Sequence, residues 1–201
     1  MAAGLWKSFL FGAVLAGAVG PIALLIFGTA ARRGFPAGGY AGLGAALADL
    51  LYAFTAFAAG ALLLPLLAAH ADEIRMAGAL LLIALGAWML LRAGRPDVAK
   101  EAVRAPAASL LPTFLLTVVN PMTLVMFAGL APQLPVAGSV VNAAWFAAAL
   151  CAGSLAVQLA IAAAGSLVGA GLPGPLWQRA LSALSGAGIL AFGIAGVAGA
   201  R

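Results

Sequence analysis

Apolar runs, each closed by a charge or a Pro/Gly cluster, divide the chain into stretches near 8–31, 39–67, 76–92, 108–131, 140–168 and 180–200. A helix needs about 20 apolar residues to cross ~30 Å of hydrocarbon, so each run is read as one transmembrane helix. Open strands cannot cross lipid, and the two-residue alternation of a barrel strand is absent. The second and fifth runs exceed what a bilayer needs and are expected to tilt, kink or include interfacial turns, whereas the third is short. The pattern therefore predicts an all-α integral membrane protein with six transmembrane helices in a single membrane domain, 1–201.

Composition strengthens that reading. The chain is 65% apolar and 7% charged, with a mean hydropathy of +1.16, and no soluble domain of this length carries such values. Six spans in 201 residues leave only short loops, so any chemistry sits among the helices or in one loop. The net charge of +5 comes from cations scattered at span ends. They form no basic face, which argues against nucleic acid and for a role in membrane orientation. The N-terminus imitates a signal peptide, with Lys7, an apolar run and Ala16-Gly17-Ala18. Hydrophobicity continues to Ala31, however, so an uncleaved first span is expected. Cys151 is the single cysteine; it allows no intrachain disulfide, no CxxC pair and no thiolate metal cluster.

Lys and Arg set the orientation. One side of the six-span arrangement holds Arg32, Arg33, Arg92, Arg95, Lys100, Arg104 and Arg179; the other holds Lys7, Arg75 and Arg201. The first, richer set is placed in the cytoplasm and both termini outside. The sizeable polar segment Arg92–Arg104, with Asp97 and Glu101 interleaved, becomes a cytoplasmic loop.

Two stretches 100 residues apart resemble each other: Val19-Gly20-Pro21-Ile22-Ala23-Leu24-Leu25-Ile26-Phe27 and Val119-Asn120-Pro121-Met122-Thr123-Leu124-Val125-Met126-Phe127. They lie in the first and fourth spans, which enter the membrane in opposite directions. The repeat is thus inverted: repeat one about 8–92, a loop about 93–107, and repeat two about 108–201. A fainter echo links Gly44 to Asp49 with Gly153 to Gln158. Small residues recur every four positions at Gly12, Ala16, Gly20 and at Ala183, Ala187, Ala191, Ala195, Gly199, which reads as close helix packing.

Proline removes a backbone donor and clashes with the preceding turn. Paired breaks in two halves of a membrane protein point to a transporter's binding site. Gly20-Pro21 and Asn120-Pro121 are therefore candidate substrate-binding residues, with half-helix ends suited to a carboxylate and freed carbonyls suited to an ammonium. The Asn120 amide serves either group. Asp49 is the one acidic residue inside a predicted span. A carboxyl at that depth is expensive and marks a cavity or partner, so Asp49 is assigned as the coupling-ion residue. Tyr52, one turn on, shares its face and is a further substrate-binding candidate. Among Gln133, Asn142 and Gln158, Gln158 is the deepest amide and joins the substrate-binding candidates. Ser154 has no histidine at depth: the sole His70 lies with Asp72 and Glu73 in a polar stretch, read as a solvated loop. No Ser–His dyad, catalytic constellation, metal site or cofactor is expected.

Gly17-Ala18-Val19-Gly20-Pro21, Arg32-Arg33-Gly34 and Ala41-Gly42-Leu43-Gly44-Ala45-Ala46-Leu47-Ala48-Asp49 resemble the opening of the LysE/RhtB amino-acid exporters. The stretch Val119–Phe127, followed by Ala131-Pro132-Gln133, resembles their second signature. Met122 and Ala48 depart from the lysine and glycine usual there. The resemblance implies export of amino acids or similar small solutes across a bacterial cytoplasmic membrane, driven by a proton or ion gradient. The partners are then the solute and the lipid bilayer, with homo-oligomerisation left open. Two rivals remain, a metal-ion exporter and a non-transporting membrane scaffold. The first should show several intramembrane carboxylates. A thiol-electron relay of related architecture needs paired cysteines, which this chain lacks.

Overall fold

The computed structural model describes residues 1–17, 20–59, 70–92, 106–120, 123, 127, 139–171 and 175–198. Among them every regular element is helical: α1 (Ala2–Gly17), α2 (Pro21–Arg33), α3 (Phe35–Ala59), α4 (Ala71–Arg92), a 3-10 turn (Pro106–Ser109) leading into α5 (Leu110–Val118), α6 (Val140–Gly171) and α7 (Pro175–Ala198). Most of the expected loop between the halves, Pro121 and Gln133 lie outside the described residues.

The expected first span is two helices whose axes diverge by 75°. Gly20 caps α2 in extended backbone, φ −135 and ψ −172, and Pro21 takes the first helical turn, where a missing N–H leaves no bond unmade. The Gly20 carbonyl accepts from the Leu24 N–H at 3.2 Å. At the other end of α2, Gly34 reverses the chain with φ 83 and ψ 170, a region open essentially to glycine alone. That residue is why the Arg32-Arg33-Gly34 turn can feed straight into α3.

Over Phe35–Ala58, α3 has a mean hydropathy of 1.5; α6 has 2.0, and each is long and apolar enough to cross a bilayer. The bent α1–α2 pair makes a third candidate span, and shorter apolar helical stretches cover Met76–Leu91, Pro106–Val118 and Ala183–Ala198. Trp6, Leu91, Leu111, Leu167, Leu176 and Leu184 are exposed on the outer surface. So much exposed apolar surface is what lipid contact requires. The protein is an all-helical membrane protein.

The centre of the fold is the α3–α6 pair, with α1 on α6 and α5 on α3, while α4 and α7 pair alongside and α2 bridges α7 and α6. Lipid tails offer no hydrophobic drive between helices, so close backbone approach takes its place. A Cβ on Gly12 would collide with the Leu150 carbonyl oxygen, and one on Gly153 with that of Phe9. On the opposite side, a Cβ on Gly44 would collide with the Leu110 carbonyl oxygen. Between α4 and α7 a Cβ on Gly86 would lie 2.6 Å from the Leu190 nitrogen, and one on Gly193 would lie 2.8 Å from the Ile83 nitrogen.

The stripe Gly12, Ala16, Gly20 is buried. The alanine stripe expected on the last helix is not its packing face, because Ala187, Ala191 and Ala195 are exposed. Gly186, Ile189 and Gly193 are buried against α4 instead. Alanine spacing alone could not distinguish those faces, since both are small.

Candidate functional site

Each half of the chain brings a broken or ended helix to the centre. In the second half α5 stops at Val118, where the Val119 N–H bonds the Leu115 carbonyl at 3.1 Å and the Asn120 N–H bonds the Thr117 carbonyl at 3.2 Å. The last turn is thus tightened just ahead of a proline, as the residue before proline disfavours helical backbone. Thr123 and Phe127 beyond it are again helical.

Between the two breaks lies a cavity of about 50 Å³, lined by Leu15, Ala16, Gly20, Ile22, Ala23, Asp49, Thr117, Asn120, Thr123 and Gln158. It has space for a few water molecules at roughly 10–15 Å³ each. The polar groups come from three helical segments. Thr117 from the end of α5, Asn120 from the break and Thr123 from the helical backbone beyond it all line the cavity; the Asn120 amide Nδ2 donates to Thr123 Oγ1 at 3.2 Å. Thr117 Oγ1 donates to the Thr113 carbonyl at 2.8 Å, keeping its lone pairs for the cavity.

Asp49 enters from α3 and is only 3% exposed. Its Oδ2 accepts a 2.6 Å hydrogen bond from Ser154 Oγ of α6, short as expected for a hydroxyl on a carboxylate. Gln158, one turn beyond Ser154 on the same face, is 5% exposed. Its Oε1 is fully buried and has no hydrogen-bond partner. Such an acceptor costs about 1–3 kcal/mol, a sign that the site is completed by something with a donor.

Of the residues singled out in the sequence, Gly20, Asn120, Gln158 and Asp49 come together around this one cavity. Pro21 sits beside it as the first residue of α2. Tyr52 does not line it: its hydroxyl donates to the Val118 carbonyl, satisfying an orphan end of α5. The Tyr52 ring stacks on that of Phe127 with centroids 5.3 Å apart, and the Phe11 ring centroid lies 6.1 Å from that of Phe127. Tyr52 therefore belongs to an aromatic wall behind the cavity. Asn142 is in the first turn of α6, its N–H held by Ser139 Oγ at 3.2 Å, away from the cavity lining. His70 and Glu73 are exposed at the start of α4; among the described residues no cluster of three His, Cys, Asp or Glu forms.

Three contributors were not read from the sequence. Thr117 and Thr123 were legible in principle, as hydroxyls spaced three residues either side of Asn120. Ser154 reads in the sequence only as a nucleophile without a base, and its pairing with Asp49 spans 105 residues, beyond any local pattern.

Together, the fold and the cavity define a helical membrane protein with a polar chamber at the meeting point of interrupted helices, the architecture of a solute carrier. The sequence profile of the LysE type translocator family matches residues 13–198, and the chain belongs to that family. No curated protein and no solved structure matches it. Membership makes the protein a translocator that moves small solutes across a membrane.

Proposed function

We propose that this protein is a secondary exporter of amino acids or related small solutes from the bacterial cytoplasm, coupled to the proton gradient and built from two inverted three-helix repeats, about 8–92 and 108–201. The observation that carries the proposal is the single carboxylate, Asp49, facing a cavity bounded by both helix breaks. A metal-ion exporter would call for more acidic ligands than the one this lining provides.

Reciprocal packing supports the repeat. A Cβ on Gly44 would face Leu110 O and Phe114 N, while a Cβ on Gly153 would face Phe9 O and Ala13 N. Gly44 and Gly153 are the two ends of the fainter sequence echo, and Phe9/Leu110 and Ala13/Phe114 share one offset. The α4–α7 contact behaves likewise: Gly86 meets Leu190 N and Gly186 O, and Gly193 meets Ile83 N and Ala79 O. The Gly44–Gly153 pairing sets Asp49 opposite Gln158, while the sequence repeat, at an offset of 100 that differs by one residue from the 101 of Phe9/Leu110, sets Gly20 opposite Asn120 and Ala23 opposite Thr123. All six line the cavity, so a pseudo-twofold axis would run through it, the usual place for a site served by alternating access.

In this scheme Asp49 carries the proton, while Gly20, Pro21, Asn120, Pro121 and Gln158 form the solute site, backed by Tyr52. The test is efflux from proteoliposomes loaded with a panel of amino acids under an imposed pH gradient. Wild type should expel at least one of them, and Asp49→Asn, which keeps shape but cannot titrate, should lose gradient-driven efflux while remaining folded. An Asp49→Asn protein that pumps at the wild-type rate with unchanged pH dependence would place the carrier elsewhere.

A further inference from the structure

We propose that the proton and the solute's ammonium group compete for the same place, the acceptor pair formed by Asp49 and the unpartnered Gln158 Oε1, so that binding of one expels the other. The inference rests on the exporter reading and extends it to the group recognised and the way coupling arises.

Four observations lead there. Gln158 lines the cavity, and its Oε1 is buried and lacks a donor. Asp49 presents a carboxyl to the same cavity, with Ser154 serving its Oδ2, and a carboxylate accepts several further hydrogen bonds. Ser154 and Gln158 stand four residues apart on α6, so the hydroxyl that orients Asp49 and the orphan amide oxygen face the same way. Finally, Asp49 and Gln158 line the same small space of about 50 Å³, so one cationic group has both within the same chamber.

The missing element is therefore a positively charged group with N–H donors, and an ammonium carries three. The step balances simply. The O–H bond of the neutral Asp49 carboxyl breaks and its proton leaves to water on the open side. The ammonium then takes its place with one hydrogen bond to the carboxylate and one to Gln158 Oε1, and no covalent bond forms. Reversal on the other side returns the proton and releases the solute. Other groups do not supply this chemistry: Tyr52 on α3 and Cys151 on α6 are the titratable neighbours, α5 has none, and Lys7 on α1 and Arg32 and Arg33 on α2 lie at least ten residues from the break, ~15 Å along the helices.

Proton release tests this directly. Purified protein in weakly buffered detergent solution, with a pH-indicating dye, receives in turn a mixture of the twenty amino acids, the same mixture N-acetylated, and sodium chloride. The free amino acids should release up to about one proton per protomer; the N-acetylated mixture and sodium chloride should release none. Asp49→Asn should abolish the signal. Gln158→Leu should raise the concentration for half-release about tenfold, as expected for a lost hydrogen bond to a charged group. Because the N-acetyl comparison uses wild-type protein, it does not depend on either variant folding. Equal release by N-acetylated solutes, release by sodium alone, wild-type release from Asp49→Asn, or no release at all would overturn the competition. Amino-acid efflux that continues without proton release would leave the exporter standing and remove only this coupling.

Discussion

The Ser154 hydroxyl of α6 holds Oδ2 of Asp49 on α3 at 2.6 Å, joining the two central helices through the one acid that faces the cavity. A buried carboxyl without a donor would be left to choose its own rotamer, whereas this bond sets its direction. Ser154 is fully buried, so no water competes for the contact.

Ser154→Ala is expected to lower efflux severalfold and to reduce stability by about 1–3 kcal/mol, the cost of leaving a buried acceptor without its donor. Ser154→Thr keeps the hydroxyl and should retain more activity than the alanine variant. Initial efflux rates with thermal unfolding of the same preparations provide the check; equal losses in both variants would point to packing, not to the bond.

Gly153→Val should be among the most damaging single changes, because its Cβ would run into the Phe9 carbonyl and backbone cannot yield as a side chain can. Overpacking costs typically ~1–3 kcal/mol and more where it meets main chain. Gly17→Ala is the control, since its Cβ would meet nothing within 4 Å. Thermal unfolding in detergent should show a large fall for the first and little change for the second.

Tyr52→Phe removes the hydroxyl that serves the Val118 carbonyl and keeps the ring on Phe127. The expected loss is about 1 kcal/mol of stability, with the solute KM unchanged because Tyr52 is outside the cavity lining. A KM that rises severalfold with unchanged unfolding temperature would return Tyr52 to the solute site.

The Lys/Arg asymmetry predicts Arg33 and Lys100 in the cytoplasm and the termini outside. Single cysteines at positions 33, 100 and 200 in a Cys151→Ala background can be labelled with an impermeant maleimide on intact cells. Position 200 should label and the other two should not. Labelling of position 100 from outside overturns the topology.

Sequence alone determined the class of protein, the break at Gly20-Pro21 and the burial of Asp49. These follow from local chemistry: apolar length sets the need for lipid, proline lacks a donor wherever it stands, and a carboxyl among leucines is costly in any fold. The chain also carries a faint echo between Gly44–Asp49 and Gly153–Gln158, and the structure brings Asp49 and Gln158 to one cavity. What tertiary structure decided is which faces meet. Alanine and glycine look alike to a hydropathy pattern, so only the packed helices could select Gly186 and Gly193 over Ala187 and Ala191. Tyr52 and Asp49 share a helix face by spacing, yet a carbonyl left open at the end of α5 drew the tyrosine aside. Ser154 shows the limit most plainly: a serine in an apolar helix means little until another helix brings a carboxylate to its hydroxyl, because hydrogen bonds act over about 3 Å of space and not along the chain.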